Sequence, residues 1–106
     1  LEGTGVEVDR THIVTNEWTE TGEAGVYAIG DVAGPPWLAH KATHEGILCA
    51  DRIAGSSGLH PMKPERIPGC TYCRPQIASV GLTESAAKTA GREIRIGRFP
   101  SCSGRG

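Results

Sequence analysis

Gly25-Val26-Tyr27-Ala28-Ile29-Gly30-Asp31 decides how this 106-residue chain is read. Val26, Tyr27 and Ile29 form a short apolar run closed by glycine on both sides, the pattern of a strand buried in a sheet. Asp31 falls just past the carboxyl end of that run, where open α/β sheets place their ligands. On the far side, Gly34-Pro35-Pro36 leads into Trp37-Leu38-Ala39-His40-Lys41, and proline is tolerated immediately before a helix. The spacing predicts a helix over residues 37–54, with Ala39, Ala42, Gly46, Cys49, Ala50 and Ile53 on one face packed closely against a sheet. Gly55-Ser56-Ser57-Gly58 supplies its stop signal. A carboxylate accepts hydrogen bonds from ligand hydroxyls, and a helix start offers free backbone N–H groups. Strand, acid and helix start together make half of a nucleotide-type binding site.

Before this stretch, residues 6–15 alternate loosely around Asp9-Arg10-Thr11-His12 and predict a small β-hairpin. Residues 16–24 are polar, with Thr21-Gly22-Glu23 as a turn signal and Trp18 as the one large apolar group. Trp18 reads as a ring covering the edge of a core rather than as a stacking site. After the helix, residues 58–69 carry Pro61, Pro64 and Pro68 among charged residues and read as a linker. A new β pattern runs from Cys70-Thr71-Tyr72-Cys73 through Ile77, Ala78, Val80 and Leu82. Thr83 is a good N-cap for a short helix stopped by Gly91. Ile94 and Ile96 alternate as a last strand, and the tail over residues 101–106 has no structural period. The expectation is an α/β chain of three parts: an αβ unit over residues 1–57, a linker over 58–69 and the start of a β-rich unit over 70–106. Neither unit looks complete. Leu1 stands first and Met62 is the single methionine, so the chain is expected to be an internal piece of a longer protein.

Composition removes several classes of function. Hydrophobic residues make up 38% and charged residues 22%, near globular averages, which argues against wholesale disorder. A net charge of −1 without a basic block points away from nucleic acid. No apolar run approaches membrane-spanning length, and the start has no signal-peptide pattern. Four cysteines are too few for a secreted disulfide framework of this length, so a reducing interior is expected.

Three other constellations carry less. Gly3-Thr4-Gly5 is followed by Val8 where a dinucleotide fingerprint has its third glycine. Cys70-x-x-Cys73 matches a redox or half-zinc pattern. On a strand, however, those two positions project to opposite faces, and a second ligand pair is lacking, so strand packing outweighs a metal or redox role. His40 and His44 share a helix face, but Glu45 lies off it and no third ligand is evident. No metal site is expected.

Two blocks of this sequence resemble the flavin-dependent pyridine nucleotide–disulfide oxidoreductases. Residues 25–41, quoted above, are similar to the family's second flavin-contact motif. Ile67-Pro68-Gly69-Cys70-Thr71-Tyr72-Cys73-Arg74-Pro75-Gln76-Ile77-Ala78-Ser79-Val80-Gly81-Leu82-Thr83-Glu84 looks like the start of the family's dimerisation domain. The resemblance covers residues 1–99, and its wording points to the branch that oxidises protein-bound dihydrolipoamide.

The resemblance implies the carboxyl-end part of a Rossmann-like FAD-binding domain, followed by the first strands and helix of an α+β dimerisation domain. It implies that Asp31 holds a ribityl hydroxyl of FAD, while Trp37, Leu38, Ala39 and His40 line the flavin mainly through backbone. It further implies NAD as the electron acceptor, a homodimer, and the lipoyl domain of 2-oxo acid dehydrogenase complexes as partner. The compartment implied is the bacterial cytoplasm or the mitochondrial matrix. The family's redox cysteines lie four residues apart, and no pair among Cys49, Cys70, Cys73 and Cys102 has that spacing. The family's catalytic base is a histidine donated across the dimer near the carboxyl terminus, a role that none of the four histidines here inherits. The chain alone is therefore expected to carry no catalytic residue. The rivals are another flavoprotein disulfide reductase, of mercuric or glutathione type, and a non-enzymatic module binding zinc through Cys70 and Cys73.

Overall fold

The computed structural model describes residues 1–100, in the order hairpin, turn, helix, hairpin, helix. Strands β1 (Val8–Asp9) and β2 (His12–Ile13) pair antiparallel, with Val8 opposite Ile13 and Asp9 opposite His12. Arg10 adopts a φ of +55° between them, which a two-residue hairpin turn requires. The hairpin predicted around residues 9–12 is present and short.

Residues 16–28 fold back on themselves. The Asn16 carbonyl-side oxygen Oδ1 accepts from the Trp18 and Glu20 amides at 2.9 and 3.0 Å, and its Nδ2 donates to Glu20 at 2.8 Å. This closed turn presents Trp18 to the far end of the long helix, where the Arg52 guanidinium sits 4.6 Å from the ring centroid. Arg52 also contacts the Glu20 carboxylate at 3.3 Å. Trp18 is half-buried beneath the Arg52 guanidinium.

The run at residues 26–29 departs from the expected buried strand. It is extended, but its cross-chain pairing is confined to the segment beside Trp18: Glu20 bridges Tyr27, and the Ala28 amide donates to the Thr19 carbonyl at 3.0 Å. Ala28 is buried, whereas Val26 and Ile29 are about two-fifths exposed, at 41% and 39%. A parallel-sheet strand needs neighbours on both edges, and the described residues supply one short antiparallel edge.

Helix α1 (Ala39–Ile53) is the longest element. Leu38 stands at its N-cap in extended conformation without a side-chain cap. Its end is a Schellman closure: the Ser56 amide reaches the Asp51 carbonyl at 3.0 Å and the Gly55 amide reaches Arg52 at 3.1 Å, with Gly55 at a φ of +71°. The inward face keeps Cys49, with Ala42 and Gly46 half-buried, from the predicted small-residue stripe and departs from it elsewhere. Lys41, Leu48 and Cys49 are its buried residues, whereas Ala39 and Ala50 are exposed and Ile53 is 63% exposed. A Cβ added at Gly46 would stand 3.4 Å from the Ile29 side chain, with no other backbone within reach.

The proline-rich segment that follows runs back along α1 rather than standing free. Leu59, Pro61, Met62 and Ile67 are half-buried, and the Pro68 carbonyl lies 2.7 Å from His40 Nε2. Strands β3 (Gly69–Thr71) and β4 (Ile77–Ser79) then pair antiparallel, with Cys70 opposite Ala78. The strand predicted through Cys73 stops at Thr71, because the Cys73 amide turns back onto the Thr71 carbonyl at 3.2 Å. Helix α2 (Glu84–Thr89) is capped as predicted, Thr83 Oγ1 accepting from the Ala86 amide at 3.1 Å. Ile94 and Ile96 lie in unpaired chain, not in a strand. No segment among the described residues runs beside them to complete a ladder. Cys102 and the tail lie outside the described residues.

Packing is uneven. Helix α1 and strand β2 both contact the turn before the helix, while β3 pairs with β4 and neither packs on the earlier elements among the described residues. The radius of gyration is 17.9 Å, against about 13 Å for a compact domain of this length. Tyr72 and Ile77 are 86% and 61% exposed. The second hairpin therefore presents apolar surface outward.

Two outcomes follow. Thr83→Ala removes the acceptor for the Ala86 amide and destabilises α2 by about 1 kcal/mol, seen as faster amide exchange at Ala86; unchanged exchange would contradict the cap. The Asn16 hydrogen bond, with help from Arg52, holds the Glu20 carboxyl below its ordinary pKa against a desolvation that raises it. A lowered folded-state pKa stabilises above the unfolded value of about 4.3, and that contribution disappears as pH falls through the lower folded value. Asn16→Ala should raise the Glu20 pKa in a carboxyl NMR titration, and an unshifted titration would exclude the contact.

Candidate functional site

The chain leaves the 26–29 segment through a tight turn, Gly30–Ala33, that carries Asp31 on its outer side. Gly30 is buried with a φ of +74°, and a Cβ there would stand 3.2 Å from the Ala42 Cβ. Both the backbone conformation and the approach to α1 therefore require glycine.

Two side chains from α1 hold this turn at both ends. Lys41 Nζ donates to the Gly30 carbonyl at 3.3 Å and the Gly34 carbonyl at 3.0 Å. It also contacts Glu45 Oε1 at 3.0 Å. The other oxygen, Glu45 Oε2, accepts the Gly30 N–H at 2.7 Å. The two side chains are 6% and 15% exposed. Sequence reading placed Lys41 at the edge of the ligand motif and Glu45 off the histidine face, and assigned neither a role. The signal was present: a lysine and a glutamate four apart, following two glycines that are themselves four apart.

The predicted ligand residues gather at the start of α1. Trp37 is 68% exposed, Leu38 is half-buried and Ala39 exposed. The first-turn amides have no side-chain acceptor, which leaves N–H groups directed outward beside the Asp31 turn. His40 is half-buried, and its ring donates through Nε2 to the strap carbonyl of Pro68, so it faces the neighbouring segment.

A larger groove, about 990 Å³, lies between α1 and the proline-rich strap and is lined by His44, Ile47, Leu59, Met62 and Ile67 among others. Of the predicted ligand residues it includes His40 alone. Cys70 and Cys73 are exposed free thiols, and Cys73 Sγ sits 2.9 Å from the Pro75 carbonyl. Because Cys73 lies beyond the strand, the opposite-face argument does not reach it. The described residues nevertheless hold no group of three or more metal-binding side chains, and no helix among them is long and apolar enough to cross a membrane.

Residues 1–46 match the pyridine nucleotide-disulphide oxidoreductase model, and residues 67–103 match the dimerisation domain of the same group. The chain belongs to the pyridine nucleotide-disulphide oxidoreductase family. The α/β class expected from the sequence is thereby borne out. A dihydrolipoyl dehydrogenase of Rhizobium etli is 59% identical over 99 residues, covering 93% of this chain and 21% of the relative. One from Zymomonas mobilis is 50% identical over 100 residues, covering 94% of this chain and 22% of the relative. Among solved structures, LpdA of Mycobacterium tuberculosis superposes with a TM-score of 0.73 at 26% identity, over 81% of this chain and 19% of that one. The chain spans about a fifth of the length of the curated relatives it matches.

Removing one member of the Lys41–Glu45 pair strands the other as a buried charge. Lys41→Met should lower the stability of the chain by about 3 kcal/mol, whereas the double replacement Lys41→Met/Glu45→Leu should cost less. Urea midpoints test this family member directly, and additive losses would contradict the coupling.

Proposed function

We propose that this chain supplies one wall of an FAD site in a flavoprotein that oxidises protein-bound dihydrolipoamide and reduces NAD. In this reading, residues 1–57 end the FAD- and NAD-binding region, 58–69 connect, and 70–106 begin the interface domain of a homodimer. The lipoyl domain of a 2-oxo acid dehydrogenase complex presents the substrate. The setting is the bacterial cytoplasm or the mitochondrial matrix.

One observation carries the proposal: an exposed carboxylate, Asp31, on a turn locked beside an uncapped helix start. Those groups suit FAD chemically. Asp31 accepts a hydrogen bond from a ribityl hydroxyl. Trp37, Leu38, Ala39 and His40 line the ring system, chiefly through backbone. Bound there, FAD supplies two-electron transfer between a dithiol and NAD. The α1 amides favour negative charge at their end of the site, a contribution of about 0.3–1 kcal/mol. The exposed hairpin of β3 and β4, with Tyr72, Ile77 and Val80 outward, suits an interface between copies.

No residue of the chain is assigned to the redox or proton-transfer steps. The 106-residue chain alone should not turn over dihydrolipoamide, and turnover by it would overturn that assignment. The positive test is an exchange of parts. The Rhizobium etli relative, carrying residues 1–99 of this chain in place of its own matching segment, should load FAD and oxidise dihydrolipoamide. In the same chimera Asp31→Ala should weaken FAD binding at least about tenfold, the loss expected for one hydrogen bond to a charged group. A folded chimera that stays free of flavin would refute the reading.

A further inference from the structure

We infer that Lys41 and Glu45 are positioning residues for the flavin, acting through the Asp31 turn rather than by touching the cofactor. The inference rests on the proposed FAD reading and adds to it a device that no predicted ligand residue contains.

Helix stability does not account for the pair. A lysine four residues before a glutamate is the weaker orientation of a helical ion pair. A cation in the first turn also opposes the helix dipole. Both groups are nearly buried, where two charges lose hydration that their mutual attraction offsets only in good geometry. What this arrangement gains is off the helix. Lys41 holds the Gly30 and Gly34 carbonyls, and Glu45 holds the Gly30 amide. These are the two ends of the turn that presents Asp31. The pair therefore fixes Asp31 relative to the helix start, the two parts of the site that must meet one ligand together. Small displacements of such groups carry large consequences. Local preferences broken in favour of a distant backbone are a signature of a site, not of a scaffold.

The test separates positioning from folding, and the inference from the reading beneath it. In the FAD-loading chimera described above, two variants remove both charges. Lys41→Met/Glu45→Gln keeps an acceptor for the Gly30 amide, whereas Lys41→Met/Glu45→Leu does not. Measured by flavin fluorescence titration, the leucine variant should bind FAD at least about tenfold more weakly than the unsubstituted chimera. The glutamine variant should recover the part carried by the Glu45–Gly30 contact while staying weaker than the unsubstituted chimera, the remainder being the share of Lys41. In the flavin-free protein, the leucine variant should melt below the glutamine variant by no more than the cost of one orphaned amide, while amide exchange at Gly30 and Asp31 accelerates in the leucine variant beyond what that loss accounts for. Wild-type FAD affinity in the leucine variant, with Asp31→Ala still weakened, would overturn the positioning role and leave the flavin reading standing. Affinity that falls only in step with melting temperature would make the pair merely structural and would overturn the inference too. If Asp31→Ala also binds FAD normally, both the reading and the inference fall.

Discussion

A single charged pair organises this chain. Lys41 and Glu45 stand one helical turn apart on α1 and, between them, take up the Gly30 and Gly34 carbonyls and the Gly30 amide at the ends of the Asp31 turn. Without those contacts the Gly30 backbone, at positive φ and pressed against Ala42, would bury polar groups with no partner. The apolar core is too thin to hold the turn instead: Ala28, Leu48, Cys49 and Ala87 are its buried hydrophobic residues. Polar bonding, not apolar burial, sets the geometry of the Asp31 turn against the start of α1.

From that constraint the rest of the first unit follows. Once α1 is fixed to the turn, its far end meets Trp18 and Glu20 through Arg52, and the strap returns along its flank to His40. The helix start stays uncapped and outward beside Asp31. The second hairpin is held by its own ladder and presents apolar side chains outward. The two family matches are separated by residues 47–66, which take in the second half of α1 and most of the strap.

Sequence reading recovered what local chemistry dictates. The hairpin turn, the span of α1 to within two residues at its start, the glycine closures and the Thr83 cap each depend on residues adjacent in the chain. It failed where the outcome depends on distant neighbours. Residues 26–29 and the isoleucines at 94 and 96 have strand character, yet a strand exists by pairing, and the described chain offers little to pair with. The inward face of α1 was read only in part, at Cys49, Ala42 and Gly46, for a different reason. Hydropathy placed alanines there, while Lys41 enters because fixed carbonyls and a carboxylate satisfy its charge, and no periodicity scale contains that information. The proposed ligand residues were reached through a family resemblance; the pair that holds the turn beside them was not.

In the proposed function, Asp31 and the start of α1 form one rigid face toward FAD. A crystal structure of the FAD-loaded chimera measures this most directly. It should show the Asp31 carboxylate within hydrogen-bond distance of a ribityl hydroxyl, with the Lys41 and Glu45 contacts to Gly30 and Gly34 preserved. An Asp31 side chain turned to solvent, with flavin bound elsewhere, would contradict it.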